Sequence, residues 1–376
     1  MKRLVLVGAG HAHMEVLRTF WREAPRSVEV VLVSPEDDTP YAGMLPGLVA
    51  GLREWREAHI AVTPLARYAS ARFLRTWAVG IDADQKQIHT IDGEMLDYDI
   101  LSLNMGSTPP VDAEAARARN GVMVKPVPTF LQVWDALVEE AQKQQLRIVV
   151  AGGGAGGVEL TLAMHHRLQT LGGTAAACDL TLVTGSATIV PDYPAGVRAR
   201  LMRALRAARI GVLTGVRVDC SVPDGLRLDN GGIVPAHCVV WATGAAPPRW
   251  LVDTTLALDD AGFLAVNDRL QSTSHGNVFA AGDMATIEGS AQPRSAASVI
   301  HQGPALARNL LLALEAKPLE RFAPPTRTPI LIGTGGKQAI GTWGPFTVAG
   351  EWIWRRKDRI DREFMARYSV QDVLDR

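Results

Sequence analysis

Two glycine clusters mark places where backbone, rather than side chain, could bind a ligand. The first reads Gly8-Ala9-Gly10-His11-Ala12-His13 and the second Gly152-Gly153-Gly154-Ala155-Gly156-Gly157. Each follows an apolar run, residues 4–7 and 148–151, and each opens a stretch that reads as a helix start. The first two glycines of such a turn let the backbone bend tightly and approach a pyrophosphate. The helix beyond supplies free N–H groups and the positive end of its dipole. A third glycine allows close packing of helix on strand. The second cluster keeps all three, Gly152, Gly154 and Gly157, whereas the first keeps Gly8 and Gly10 and has His13 at the third place. A carboxylate at the end of the next strand would bind ribose hydroxyls. Ser34 followed by Pro35 stands there in the first unit and Thr184 in the second, with no arginine immediately adjacent to Thr184.

A third element is Asn277-Val278-Phe279-Ala280-Ala281-Gly282-Asp283. It places a carboxylate just past a buried strand, where it could accept hydrogen bonds from a polyol chain or cap a helix.

The elements that must position these groups follow from periodicity. After each glycine turn another apolar strand follows, residues 28–33 and 179–183. Two βαβ starts mean two nucleotide-binding units. Between them residues 72–81, 87–90 and 98–104 read as strands, and Pro109-Pro110 with the Ala/Arg-rich stretch 112–120 reads as a linker. A helix carries Phe130, Val133, Trp134, Leu137 and Val138 into the second turn. A basic helix at 197–208 precedes a strand at 211–218, a hairpin closes at 229–232, and a buried strand ends at Gly244. A helix from about 295 to 316 follows, and from Pro324-Pro325 onward a distinct piece contains Trp343, Trp352 and Trp354. The expected fold class is α/β, with two Rossmann-like dinucleotide-binding domains and a small C-terminal α+β domain. The expected divisions are 1–112 with 247–321, then 113–246, then 322–376.

Composition excludes several classes. The 376 residues include 39 basic and 39 acidic side chains, and this balance argues against nucleic-acid binding. Three cysteines, at 178, 220 and 238, cannot form a disulfide scaffold, and without Cys-x-x-Cys no zinc or other metal site is expected. The apolar run at the N-terminus is too short for a secretory h-region, and no stretch reaches the roughly 18 apolar residues of a spanning helix. A cytoplasmic protein, soluble or peripheral on the inner face of a membrane, is expected.

In their order, the first glycine turn, the second, the Ala242-Thr243-Gly244 strand end and Asn277–Asp283 resemble the two-dinucleotide-binding flavoproteins of the pyridine nucleotide–disulfide oxidoreductase superfamily. Within it the chain is similar to type II NADH dehydrogenases. It is more similar to the flavoprotein domain fused to selenide, water dikinase, through Gly10-His11-Ala12-His13, Ser34-Pro35, the stretch Thr39 to Gly47, Asn104-Met105-Gly106-Ser107-Thr108-Pro109 and the Trp354–Met365 tail. The resemblance implies FAD on the first turn and NADH or NADPH on the second. It implies FAD contacts at Gly8, Gly10, His11, His13, Ser34, Pro35, Tyr41, Gly43, Met44, Gly106 and Gly282, with Asp283 at the ribityl chain. For NAD(P)H it implies Gly152, Gly154, Gly157, Thr184 and Gly244.

The resemblance also bears on the chemistry. Disulfide reductases of this superfamily carry two cysteines in the helix after the first strand region, and residues 40–60 hold none. The three cysteines read as small buried or half-buried residues. Hydride would pass from NAD(P)H to FAD, and electrons then to a small-molecule acceptor, a quinone among the candidates, without a cysteine relay. The alternatives are a flavoprotein acting on selenium or sulfur species and a flavin-binding sensor that does not turn over. Glu159 would position the nicotinamide or relay a proton. Arg294 to Gly303 aligns with the quinone-site helix of the dehydrogenases: Gln302 matches, Ala297 replaces a glutamine, and His301 could donate a proton. Lys337 matches a lysine on the acceptor side. The tail from Trp352 to Met365 could lie on an anionic membrane surface, or its acids could pair with its bases on a solvated face. A homodimer is a further expectation.

Overall fold

A computed structural model describes residues 1–25, 27–108, 120–289, 296–323, 329–343 and 346–369, with backbone only at 296–299 and 343. The expected linker, Pro109-Pro110 with 112–120, lies outside the described residues except for Asn120, and Pro324-Pro325 lie outside them as well.

Ten strands build two all-parallel sheets: β1 Lys2–Val7, β2 Val28–Val33, β3 Arg72–Leu74, β4 Ile100–Leu103, β5 Gly121–Met123, β6 Arg147–Ala151, β7 Asp179–Thr184, β8 Gly211–Thr214, β9 Cys238–Trp241 and β10 Val278–Ala280. The first sheet runs β10-β4-β1-β2-β3 and the second β5-β9-β6-β7-β8. In each, the strand before a glycine turn is central, and the chain order reverses beside it. Such a switch point leaves a crevice at the carboxyl ends of the strands.

The central strands of both sheets are buried on both faces, which is why they read as continuous apolar runs rather than alternating ones. Leu4 and Leu6 of β1 enter one core, and Val5 and Val7 the other. Helix α1, His11–Arg22, packs on the first of these. Its Met14, Leu17 and Phe20 are fully buried, each contributing about 1.5–3 kcal/mol of apolar burial. Helix α2, Ala155–Leu171, holds the matching place over β6. Helix α3, Ala296–Leu314, crosses α1 closely: a Cβ at Gly303 would lie 2.9 Å from Glu15 Cβ.

Two expected strands are each divided. Residues 72–81 split into β3 and a strand Ala78–Asp82 in a separate antiparallel sheet, because Thr76 turns the chain and bonds to Asp92. Residues 211–218 split into β8 and Val218–Val222 at Gly215, whose φ of +70° suits glycine. The C-terminal piece is a three-stranded antiparallel sheet, Ile330–Gly333, Ala339–Trp343 and Phe346–Gly350, followed by α4, Glu351–Ala366. Among the described residues no helix is long and apolar enough to cross a membrane.

Candidate functional site

The first glycine turn is crowded by the backbone and side chain of Asn104. Gly8 has φ +90°, and a Cβ there would lie 2.5 Å from Asn104 O. A Cβ at Gly10 would lie 2.2 Å from Asn104 Oδ1. Asn104 follows β4, across the switch point. Its Oδ1 accepts the N–H groups of Ala12 (3.1 Å) and His13 (3.4 Å), and its Nδ2 donates to Ala281 O (2.7 Å). Asn104 thereby caps α1 and ties the turn to the segment after β10.

His13 lies beneath the turn. Its Nδ1 is 2.6 Å from Gly8 O and its Nε2 2.8 Å from Ser102 Oγ. Burial pushes its pKa down to about 4, so the ring is neutral. The residue expected to contact the cofactor thus has both ring nitrogens engaged within the protein, and its side chain braces the turn. His11 differs. Its ring packs against Tyr41 and Phe364, centroids 5.5 and 5.8 Å apart, and its Nε2 is buried without a partner among the described residues. Burial pushes His11 down to about 4, with Asp283 pulling the other way. A buried orphan nitrogen beside a glycine turn is a group that a bound ligand would satisfy.

Asp283 lies in the short turn Gly282–Met284 after β10. Its Oδ2 is 3.1 Å from Lys125 Nζ and 3.4 Å from Ser107 Oγ. Gln302, on α3, accepts the Gly282 N–H at 2.7 Å. It therefore positions this turn from within the protein. Ser34 is buried at the end of β2, and Gly106 has φ +73° with open space around it.

The second turn is tight below and open above. Gly152 has φ +135°, and a Cβ there would lie 2.2 Å from Ala242 O. A Cβ at Gly157 would lie 1.9 Å from Gly152 O, so the third glycine is needed for helix–strand packing. Among the described residues, a Cβ at Gly154, Gly156 or Gly244 would meet nothing within 4 Å beyond its own chain neighbours and helix backbone. Whereas Asn104 bonds to first-turn N–H groups of α1, among the described residues no side chain bonds to those of α2. Its first-turn N–H groups thus face a space with room for a phosphate. Thr184 underlies Gly153, where a Cβ would lie 2.6 Å from the Thr184 Cβ. The second turn fits the pyrophosphate of a dinucleotide through open backbone, whereas at the first, where Asn104 takes the N–H groups of Ala12 and His13, the unpartnered His11 Nε2 is the group that a ligand would satisfy.

Glu159, on α2, points to the junction of all three pieces of the chain. Its Oε1 accepts the Gly333 N–H at 2.7 Å and lies 4.0 Å from Lys357 Nζ. Lys357, on α4, donates to Gly43 O (2.6 Å) and Asp361 Oδ2 (2.8 Å), and Tyr41 donates its phenol O–H to Asp361 Oδ1 at 3.0 Å. Burial pushes the Glu159 carboxyl up, and Lys357 and the Gly333 N–H pull it partway back. Burial opposes the Lys357 charge, but Glu159 and Asp361 more than offset this and raise its pKa. A cleft beside the cluster is lined by Gly43, Met44, Gly336 and Trp354.

Two expected catalytic residues do not join this cluster. His301 is exposed on α3, one residue before the buried Gln302. Lys337 is also exposed, its ammonium 5.9 Å from the centroid of Trp354. The solvated-face reading of the tail holds for the Arg355–Glu351 pair but not for Asp361, which is buried, nor for Asp358, which is largely covered and pairs with the buried Arg53 as well as with Arg362. Sequence reasoning missed Asn104, Lys125, Lys357 and Asp361 as site residues. The i,i+4 spacing of Lys357 and Asp361 was a signal, but it does not reveal which helix face is covered.

Cys178 and Cys238 are buried at the N-terminal ends of β7 and β9, opposite the carboxyl-end crevice. Cys220 is half-buried on Val218–Val222.

The model of the pyridine nucleotide-disulphide oxidoreductase family matches residues 2–309. The chain belongs to this family. It is an FAD-dependent NAD(P)H oxidoreductase. Type II NADH:quinone oxidoreductase of Haemophilus influenzae is 30% identical over 205 residues, 50% of this chain and 46% of that protein. Over this match the chain spans less than half of that relative. Demethylphylloquinone reductase NdbB of Synechocystis is 25% identical over 334 residues, 84% of this chain and 81% of that protein. The sulfide:quinone oxidoreductase structure from Aquifex aeolicus superposes with a TM-score of 0.81 at 19% identity, covering 98% of this chain and 91% of the other. That likeness concerns the fold.

Proposed function

We propose that this oxidoreductase passes electrons from NAD(P)H through FAD directly to a quinone-type acceptor, without a cysteine relay. The reading rests chiefly on the junction cleft, which combines Glu159, Lys357 and Asp361 with no thiol among its lining residues. FAD would supply the hydride-accepting and electron-passing chemistry. Gly8, Gly10, His11, Tyr41, Gly43, Met44, Gly106, Gly282 and Asp283 would hold it, with Asn104 and His13 shaping the turn, Ser34 and Pro35 bounding the strand end and Gln302 fixing the Asp283 segment. Gly152, Gly154, Gly157, Thr184 and Gly244 would hold the dinucleotide. Glu159 would hold or move a proton at its carboxyl, with Lys357 compensating its charge. Lys337 and His301 would sit at the periphery of the acceptor path.

The quinone relatives support the acceptor class. The exposed Trp352 and Ile360 of α4, with exposed Arg355, Arg356 and Arg359, support peripheral contact with an anionic, inner-face membrane.

Anaerobic NAD(P)H should bleach the flavin, and a short-chain quinone should restore its colour. A variant with Cys178, Cys220 and Cys238 all replaced by alanine should do both, and Glu159→Gln should slow bleaching while FAD stays bound. A colourless protein that takes up no added FAD overturns the reading, as does a triple variant that bleaches but is not reoxidised.

A further inference from the structure

The nucleotide end of the second turn lies at the tip of β7. That strand ends at Thr184 and continues Gly185-Ser186-Ala187, without a carboxylate to accept ribose hydroxyls. The chain returns to the same place after β8. The Gly215 N–H donates to Ser186 O (2.8 Å) and the Val216 N–H to Thr184 O (3.1 Å). The next residue, Arg217, lies against Gly185: a Cβ at Gly185 would be 3.4 Å from Arg217 Cγ and 3.8 Å from its Cα. Arg217 is exposed, and among the described residues its guanidinium has no ion pair or hydrogen bond. The acid two residues on, Asp219, is engaged by Arg227 at 2.8 Å.

Thr184 links these positions to the glycine turn: a Cβ at Gly153 would lie 2.7 Å from Thr184 Oγ1, and the Val216 N–H donates to Thr184 O. A dinucleotide whose pyrophosphate sits at the α2 N-terminus lays its adenosine ribose over the end of the adjacent strand, here β7. An acid there would suit a free 2′-hydroxyl. An unpaired guanidinium next to an exposed serine suits a phosphate monoester, to which guanidinium can present paired N–H donors.

We propose that Arg217 and Ser186 form a subsite for the 2′-phosphate of the adenosine ribose, and that the coenzyme is therefore NADPH. This rests on the reading of the second turn as the dinucleotide site. Neither glycine cluster reveals the subsite, because Arg217 is 33 positions beyond Thr184.

The test uses the FAD-loaded protein and two ligands, adenosine 2′,5′-bisphosphate and adenosine 5′-phosphate, titrated by calorimetry. The wild type should bind the bisphosphate more tightly by about tenfold or more, the scale of one charge-assisted contact. Arg217→Ala should abolish that difference, and Arg217→Lys should keep part of it. In anaerobic bleaching, NADPH should saturate at lower concentration than NADH, and Arg217→Ala should raise KM for NADPH with kcat little changed. Arg217 is exposed, so the variants should fold. Equal affinity for the two ligands in the wild type overturns the proposal, as does a preference that survives Arg217→Ala. If NADH saturates as readily as NADPH, the subsite fails and the dinucleotide reading stands. If neither ligand binds and neither coenzyme bleaches the flavin, both fail.

Discussion

Replacing Asn104 by alanine removes the side chain that joins the glycine turn to the segment bearing Asp283. Asn104 is 2% exposed. The Ala12 N–H loses its 3.1 Å acceptor and Ala281 O loses its 2.7 Å donor, both on fully buried residues. The 3.4 Å bond to the His13 N–H is long and adds little. Each buried group left unpaired costs roughly 1–3 kcal/mol, so Asn104→Ala should destabilise the apoprotein by about 2–4 kcal/mol after some relaxation. Equilibrium unfolding in urea, with the slope checked for constancy, measures this. Asn104→Asp separates the two roles of the residue. It keeps an acceptor for the Ala12 N–H, and its charge is favourable at a helix N-terminus. It loses the donor to Ala281 O and sets a negative charge beside the place assigned to a pyrophosphate. The expected stability order is wild type, Asn104→Asp, Asn104→Ala, whereas FAD retention on a desalting column should be weakest for Asn104→Asp. An Asn104→Ala protein within about 0.5 kcal/mol of wild type, the range of an ordinary surface change, would refute the accounting. An Asn104→Asp protein that holds FAD as wild type does would refute the placement of the anion.

Two further predictions concern the other unit and the junction. Gly157→Ala would force a Cβ to within 1.9 Å of Gly152 O, so it should lower thermal stability and weaken nucleotide binding, with first-turn FAD affinity little changed. Lys357→Met leaves Glu159 and Asp361 facing each other without their cation and should cost about 3–5 kcal/mol, measured by urea unfolding near neutral pH. The Glu159 pKa is raised in the folded protein, so the folded state binds that proton more tightly than the unfolded chain does. Its charge therefore costs stability as pH rises from the ordinary carboxylate range through the raised value. The deficit of Lys357→Met should accordingly shrink as pH is lowered through that window, and a pH-independent deficit would count against the carboxylate pair as its cause.

The sequence by itself determined what local backbone physics requires. A turn that must bend at Gly8 or Gly152 and admit a helix behind it needs glycine, and the strands feeding it must be apolar because both sheet faces are covered. For that reason both βαβ starts, their second strands and the carboxylate after β10 were legible. The strand breaks at 75–77 and 215–217 were not: the first turn is held by Asp92, which nothing near Thr76 announces, and at the second Gly215 permits a turn without showing that its N–H will find Ser186. Likewise, the third position of the first turn could be read only as a missing glycine. The structure shows a histidine held by Gly8 and Ser102, the latter 89 positions away. The remaining groups are joined by strand order and by the docking of α4. Asn104 meets Ala12 across 92 residues, Lys125 meets Asp283 across 158, and Tyr41 meets Asp361 across 320. Each pairing arises where the chain crosses between sheets or returns from the C-terminal piece. No spacing along the chain records such a meeting, because burial and charge pairing are settled only when those surfaces close on one another.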